Sequence, residues 1–200
     1  MKKGLILFTC AALLAVANKA RGQTKESLME FGKQQQRTTK AGMLVLGSWA
    51  VGNFASSGLS LNALEGSRYY FHQMNILWNT VNITLAGIGY YQAARKDANS
   101  ISLVKTVKNH HSLRRKLLFN AGLDVAYVVG GLYLLEKAKN ESEQAERWQG
   151  YGRSVILQGA FLLTFDTVLY LIVRSQAESL NSIMEKLTIS TQRVGLVHRF

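Results

Sequence analysis

The stretch that decides the fold is residues 155–173, which reads VILQGAFLLTFDTVLYLIV. In a helix drawn through it, apolar side chains lie on every side, whereas a soluble helix keeps a polar outer face. Trp148 and Tyr151 stand just before the stretch and Arg174 follows it, as at the two water interfaces of a membrane helix. The segment therefore predicts a transmembrane helix, and it is the clearest span of the chain.

Three further segments predict membrane helices, and they cover residues 42–61, 71–91 and 117–135. The first is rich in Gly and Ser, small residues that let helix backbones approach closely in lipid. The second is flanked at both ends by paired tyrosines, which match aromatic belts about 20 residues apart. The chain contains no proline, so uninterrupted helices are the simplest interpretation. The predicted fold class is an all-α integral membrane bundle of about four transmembrane helices after an N-terminal signal peptide.

Residues 1–22 have the pattern of a secretory signal peptide. Two lysines precede an apolar run over residues 5–17, and Ala20 and Gly22 place small residues at −3 and −1 of a cut before Gln23. The alternative is an uncleaved anchor. The predicted organisation is a signal peptide at 1–22, a polar segment at 23–41, a transmembrane bundle at 42–175 and an amphipathic tail at 176–200.

The tail contains apolar residues at helical spacing, namely Leu180, Ile183, Met184 and Leu187. This i, i+3, i+4, i+7 pattern predicts an amphipathic helix. Two placements are open: the helix lies along the membrane surface, or it packs on the bundle.

The charge distribution conflicts with the signal peptide. The connection at 95–116 is strongly basic, so the positive-inside rule places it in the cytoplasm. A cleaved signal peptide would put Gln23 outside, and four full spans would then put this connection outside as well. Either the first segment resembles a signal only in appearance, or residues 42–61 lie in the interface or re-enter, or the charge rule fails. We favour the second, since 42–61 contains Asn53 and several serines.

The basic connection has a second interpretation, as a surface for anionic lipid headgroups. The side chains that would bind them are Lys105, Lys108, Arg114 and Arg115. A plain topology determinant is the favoured interpretation. Because the net charge of +12 comes largely from this connection and the N-terminal region, it does not indicate nucleic acid as a partner.

Amides and carboxylates recur at helical spacing inside the apolar segments. They are His72, Asn75, Asn79 and Asn82 in the second, Asn120 and Asp124 in the third, and Gln158 and Asp166 in the fourth. Polar side chains are costly in hydrocarbon, so these should turn inward and find one another. In the favoured interpretation their hydrogen bonds, about 0.6–2 kcal/mol each, simply hold the bundle together. In the other, Asp124 and Asp166 form a proton- or cation-handling site with His72 at one mouth.

Several kinds of chemistry are not indicated. The only cysteine is Cys10, so its removal with the signal peptide would exclude disulfides, thiolate catalysis and cysteine metal sites. Haem is not expected, because His72 alone lies within a span, at its edge. No zinc-protease, phosphate-loop or serine-hydrolase motif occurs. We therefore expect no enzyme, no metal and no cofactor.

Three groups of residues together resemble a family of uncharacterised small membrane proteins of Bacteroidetes-type bacteria. The groups are HQMN at 72–75 with Trp78, Asn79 and Asn82, then Asn120, Asp124 and Tyr127, then QG at 158–159 with 161–162 and 165–166. The resemblance covers roughly residues 40–175 and implies no known activity.

We expect a multi-pass protein of the bacterial inner (cytoplasmic) membrane, with membrane lipids as partners and a possible second copy or another membrane protein. The predicted function is that of a structural or accessory bundle with a polar intramembrane core. The alternative is a small proton- or cation-coupled transporter or channel component that uses Asp124 and Asp166.

Overall fold

The structure is a computed structural model that describes residues 2–96, 102–140 and 142–185, with side chains from residue 25 onward. All regular elements in this described part are helical, which confirms the all-α prediction. They are α1 (Lys2–Ser60), a single 3-10 turn (Leu61–Ala63), α2 (Gly66–Arg95), α3 (Leu103–Asn140) and α4 (Ala145–Ser175). After a turn at Gln176 the chain is helical again over 177–185. The predicted basic connection at 95–116 is therefore shorter than expected, because most of it forms the first turns of α3.

The connection between α1 and α2 depends on one glycine. Gly66 has a φ of 62°, in the left-handed region that L side chains rarely adopt. A Cβ added there would also lie 2.9 Å from Oε1 of Glu146, in the first turn of α4. The turn and the start of α4 are thus held closely together at this end of the bundle.

The second half of α1 runs antiparallel to α2. Near one end Gln36 donates a hydrogen bond to the carbonyl of Ala93 (2.6 Å), and near the other His72 Nδ1 lies 3.0 Å from Ser57 Oγ. α1 continues unbroken through residues 42–60, so it contains no re-entrant turn, while the other part of the favoured interpretation, that this segment lies in the interface, stays a prediction.

α3 and α4 are also antiparallel, and they meet through glycines. A Cβ added at Gly131 would lie 2.8 Å from the carbonyl oxygen of Gly152, so the two backbones touch. α4 in turn lies parallel to α2, where a Cβ at Gly150 would collide with the carbonyl of Ser67. Close packing of small residues therefore locks α2, α3 and α4 together at the end where α4 begins.

Apolar side chains cover the outside of the bundle on all four helices. Among the exposed ones are Leu44, Val51, Leu77, Ile88, Phe119, Val129, Val168 and Leu171. The buried positions of the same helices are notably polar, with Asn75, Asn79, Asp124 and Gln158 all at most 3% exposed. In the described chain two helices, Leu103–Asn140 and Ala145–Glu185, are long and apolar enough to cross a membrane. α1 and α2 are not apolar enough to meet this criterion. The structure therefore confirms the four predicted helices but not four membrane spans.

A separate apolar cluster lies at the opposite end of the bundle. Leu28 and Phe31 of α1 pack against Leu180 and Ile183, and all four are buried. Of the two placements predicted for the tail helix, these contacts agree with packing on the bundle. Residues 25–40, the start of α3 and residues 177–185 therefore gather at one end. If the basic connection lies in the cytoplasm, this part of α1 lies there too.

Candidate functional site

The inward-facing amides of α2 and α4 form a hydrogen-bonded cluster. Asn75 Oδ1 accepts hydrogen bonds from Ser154 Oγ (2.8 Å) and from Gln158 Nε2 (2.9 Å). The other end of the Gln158 amide, Oε1, accepts from Trp49 Nε1 of α1 at 3.0 Å. We call Trp49, Asn75, Ser154 and Gln158 the amide cluster. It joins three helices through polar groups that are saturated by one another.

The amide cluster is enclosed by the bundle. Asn75 is 2% exposed, and Ser154 and Gln158 are 0% exposed. Trp49 also stacks on Phe161 of α4, with ring centroids 4.0 Å apart. Because the glycines of α4 bring the backbones together here, the cluster has the properties of a structural contact.

Asn79 and Asn82, which the sequence placed on the same stripe as Asn75, behave differently. Asn79 Nδ2 donates to the backbone carbonyl of Asn75 one turn earlier (2.8 Å), and its Oδ1 is buried without a partner. Asn82 Nδ2 is likewise buried and unpartnered. Neither residue joins α2 to another helix. The polar stripe therefore makes interhelical hydrogen bonds at Asn75 and leaves buried polar atoms without partners at Asn79 and Asn82.

The two aspartates form a pair across α3 and α4. The side chains of Asp124 and Asp166 lie near each other, and Asn120 lines the same cavity. Two carboxyl groups can share a hydrogen bond only if one of them carries a proton, because neither carboxylate has a donor. No Lys or Arg of the described chain forms an ion pair with either carboxyl group. A hydrogen bond between the two carboxyl groups would therefore need one shared proton.

The carboxyl pair lies in the wall of a cavity of about 460 Å³. All four helices contribute to it, and its polar lining includes Asn82, Asp124 and Asp166, which are buried, and Asn120, which is exposed and so does not turn inward as predicted. Asp124 is 3% exposed and Asn82 is 4% exposed, yet Asp124 Oδ2 and Asn82 Nδ2 have no partner. Buried polar atoms are rarely left unpaired, so this cavity presents a free acceptor and a free donor to whatever enters it.

His72 does not belong to this cavity. It lies at the other end of α2 beside Ser57, with a 3.0 Å contact between Nδ1 and the serine oxygen. Contrary to the prediction, His72 therefore does not stand at a mouth of the aspartate site. Among the described residues no three His, Cys, Asp or Glu side chains come together as a metal site.

The basic residues divide between surface and bundle. Lys105, Lys108 and Arg115 are exposed on the first turns of α3. Arg114 instead turns inward, with its guanidinium 5.7 Å from the centre of the Tyr170 ring. The proposed lipid-binding set is thus not a single surface.

Sequence reasoning missed residues that the structure makes central. Ser154 lies one helical turn before Gln158, and this i, i+4 spacing could have added it to the polar stripe. Trp49 gives no such signal, since an aromatic residue in an apolar segment is ordinarily a lipid or core contact. His110 was treated as part of a basic loop, but it is 1% exposed and faces Gln35 and Phe31 of α1.

Comparison with known proteins gives one match. The model of a family of unknown function, DUF6992, matches residues 45–167, which include the amide cluster and the carboxyl pair. No curated protein and no solved structure matches the chain.

Proposed function

We propose a function from the cavity itself, because the chain belongs to the DUF6992 family, whose function is unknown. The proposal is a multi-pass protein of the bacterial inner membrane that handles protons or cations at the Asp124–Asp166 pair. It would act as a small coupled transporter or as a component of a channel. The observation that carries it is a pair of neighbouring carboxyl groups set in the wall of a cavity and flanked by unpartnered polar atoms.

Support for the membrane location comes from the distribution of polarity. Leu77, Phe119 and Tyr133 are each more than 60% exposed, whereas Asn79 and Gln158 are fully buried. Such an arrangement is unfavourable in water, where large exposed apolar surfaces promote association. In lipid it is favourable, because hydrocarbon solvates the apolar outside and the polar side chains are kept inside the bundle, away from it.

Support for the site comes from the contrast between the two polar groups. The amide cluster saturates its hydrogen bonds within a close-packed part of the bundle. The carboxyl pair lies instead beside open space, and Asp124 Oδ2 has no partner. A purely structural role gives no reason for two neighbouring carboxyl groups beside open space without an ion-pair partner among the described residues, since burying an unpaired charge is destabilising.

The shared proton is the feature to measure. Infrared spectra of the purified protein in lipid should show the carbonyl band of a protonated carboxyl group, shifted by exchange into D2O and lost in Asp124→Asn/Asp166→Asn. Glu136→Gln is the matched control, because Glu136 is an exposed acid that pairs with Lys139 on α3. Retention of the band in the double variant would contradict the proposal.

Transport is tested separately in reconstituted vesicles. We expect proton or cation flux under an imposed gradient in the wild type and the Glu136→Gln control, and none in Asp124→Asn/Asp166→Asn. Equal flux in all three proteins, or no flux in any, would count against a transport role.

A second function, that of a structural or accessory bundle, is favoured by the amide cluster. Its interhelical hydrogen bonds join α1, α2 and α4, as a scaffold for contacts with another copy or another membrane protein would require. In that case Asp124→Asn/Asp166→Asn would leave the cellular phenotype of the protein unchanged. Asn75→Ala, which removes the acceptor at the centre of the cluster, would abolish it.

A further inference from the structure

The cavity beside the carboxyl pair opens sideways, toward the apolar outside of the bundle. Val81 and Leu85 of α2 line it and are 55% and 56% exposed, and Leu123 of α3 lines it and is 39% exposed. They belong to α2 and α3, which have no extensive packing contact with each other. A molecule entering here therefore comes from the apolar surroundings of the bundle.

Most of the remaining wall is apolar. Leu46 of α1, Leu117 of α3, and Leu162, Phe165 and Leu169 of α4 all line the cavity. A hydrated inorganic ion gains little from such walls, because they offer no ligands to replace its water. A hydrocarbon chain gains from them by burying its surface, as apolar ligands do in most binding pockets.

The polar part of the cavity selects for positive charge. Asp124 and Asp166 both line the cavity, so the pair with one shared proton would carry one negative charge, and Asp124 Oδ2 is a buried acceptor with no donor. Asn82 stands on the opposite wall, and its amide presents nitrogen or oxygen depending on its rotation. Lys116 also lines the cavity but is exposed, two turns before Asp124 on α3, at the rim toward the basic end.

We propose that this cavity binds a lipophilic primary ammonium ion, which enters from the membrane between α2 and α3. Its N–H groups donate to Asp124 Oδ2 and its charge balances the carboxyl pair, while its apolar chain lies against the leucines and Phe165. The inference rests on the proposed function, since it names the cation that the carboxyl pair takes.

Trp78 provides a reporter for this site, because it lines the cavity and contacts Tyr127 edge-to-face at 4.8 Å between ring centroids. The probe is bromododecylamine, whose bromine quenches tryptophan fluorescence on contact. The protein is reconstituted in lipid nanodiscs at neutral pH. Trp78→Phe identifies the part of the signal that comes from this tryptophan, and Glu136→Gln serves as the charge-matched control on α3.

We expect saturable quenching that dodecylamine reverses and that neither dodecanol nor sodium or potassium chloride reverses. Asp124→Asn/Asp166→Asn should weaken binding by about 30-fold, as loss of one partner of a buried charge pair does. Binding should be unchanged in Glu136→Gln. Quenching that rises linearly with probe in every variant would show only partition into lipid and would overturn the proposal.

Two other results would also overturn it. Competition by dodecanol as strong as that by dodecylamine would show that the head-group charge is not recognised, and competition by the salts would show an inorganic cation. In both cases the infrared band of the shared proton separates the two proposals. Its presence would leave the proposed function standing with a different ligand, and its absence would remove both.

Discussion

Replacing Asn75 tests whether interhelical hydrogen bonds stabilise the bundle. Its Oδ1 accepts two hydrogen bonds, from Ser154 Oγ and Gln158 Nε2, at 2.8 and 2.9 Å. Both donors are 0% exposed, so water cannot replace the lost acceptor unless the helices separate. Asn75→Ala should therefore destabilise the contact between α2 and α4.

The magnitude follows from the number of bonds. Side-chain hydrogen bonds between membrane helices contribute about 0.6 kcal/mol on average and up to about 1.7 kcal/mol. Two such bonds give about 1–3 kcal/mol for Asn75→Ala. A double-mutant cycle with Ser154→Ala isolates one of them and should give a coupling energy of about 0.6–1.7 kcal/mol.

The assay is reversible unfolding of the purified protein in mixed micelles, followed by circular dichroism. Thr80→Ala is the matched control, because Thr80 is an exposed polar residue on α2 whose hydroxyl bonds only to its own helix, at Ile76. A loss of stability in Asn75→Ala no larger than in Thr80→Ala would refute the reasoning, and so would a coupling energy of zero.

Three further predictions concern packing and pH. Gly152→Ala should lower the free energy of unfolding by about 1–3 kcal/mol, because its Cβ would press on the backbone of α3. Gly87→Ala should not lower it, because a Cβ there meets open space, and unfolding in micelles compares the two variants. Phe31→Ala should cost about 3–5 kcal/mol in the same assay, since Phe31 is 2% exposed in the apolar cluster. Burial, with nearby Arg114, lowers the pKa of His110 from its ordinary 6.5, so the folded state resists protonation that the unfolded state accepts. Stability should thus decline as pH falls below 6.5 through the lowered pKa, and a pH series should show a shallower decline in His110→Asn.

The faces of the helices could be predicted from the sequence, and their neighbours could not. Periodicity placed Asn75, Gln158 and Asp124 on inward stripes, and all three are buried. It did not indicate that α2 would lie parallel to α4, because that contact joins helices that are not consecutive in the chain. The partners of each polar group depend on that arrangement.

The cavity was beyond sequence reasoning for a related physical reason. It exists because α2 and α4 touch at the Gly150 end and α2 and α3 stay apart beside Asn82. A pattern of apolar residues gives no measure of such spacing. At residues 42–61 the serines and Asn53 indicate a broken span, which is the basis for predicting a re-entrant turn there. In the structure Asn53 donates to the carbonyl of Trp49 within the same helix (2.9 Å), so α1 accommodates it without a break.

Cysteine accessibility in intact cells tests the membrane bundle most directly. Cys10 is replaced by Ser, and single cysteines are placed at Glu26 and Ser102 near the basic end, at Asn62 and Ser142 near the other end, and at Leu77 on the apolar outside. The account predicts that a charged thiol reagent labels Glu26 and Ser102 from one side, labels Asn62 and Ser142 from the other, and does not reach Leu77. Labelling of all five from the same side, with Leu77 as reactive as Ser142, would show a helical bundle that does not cross the membrane.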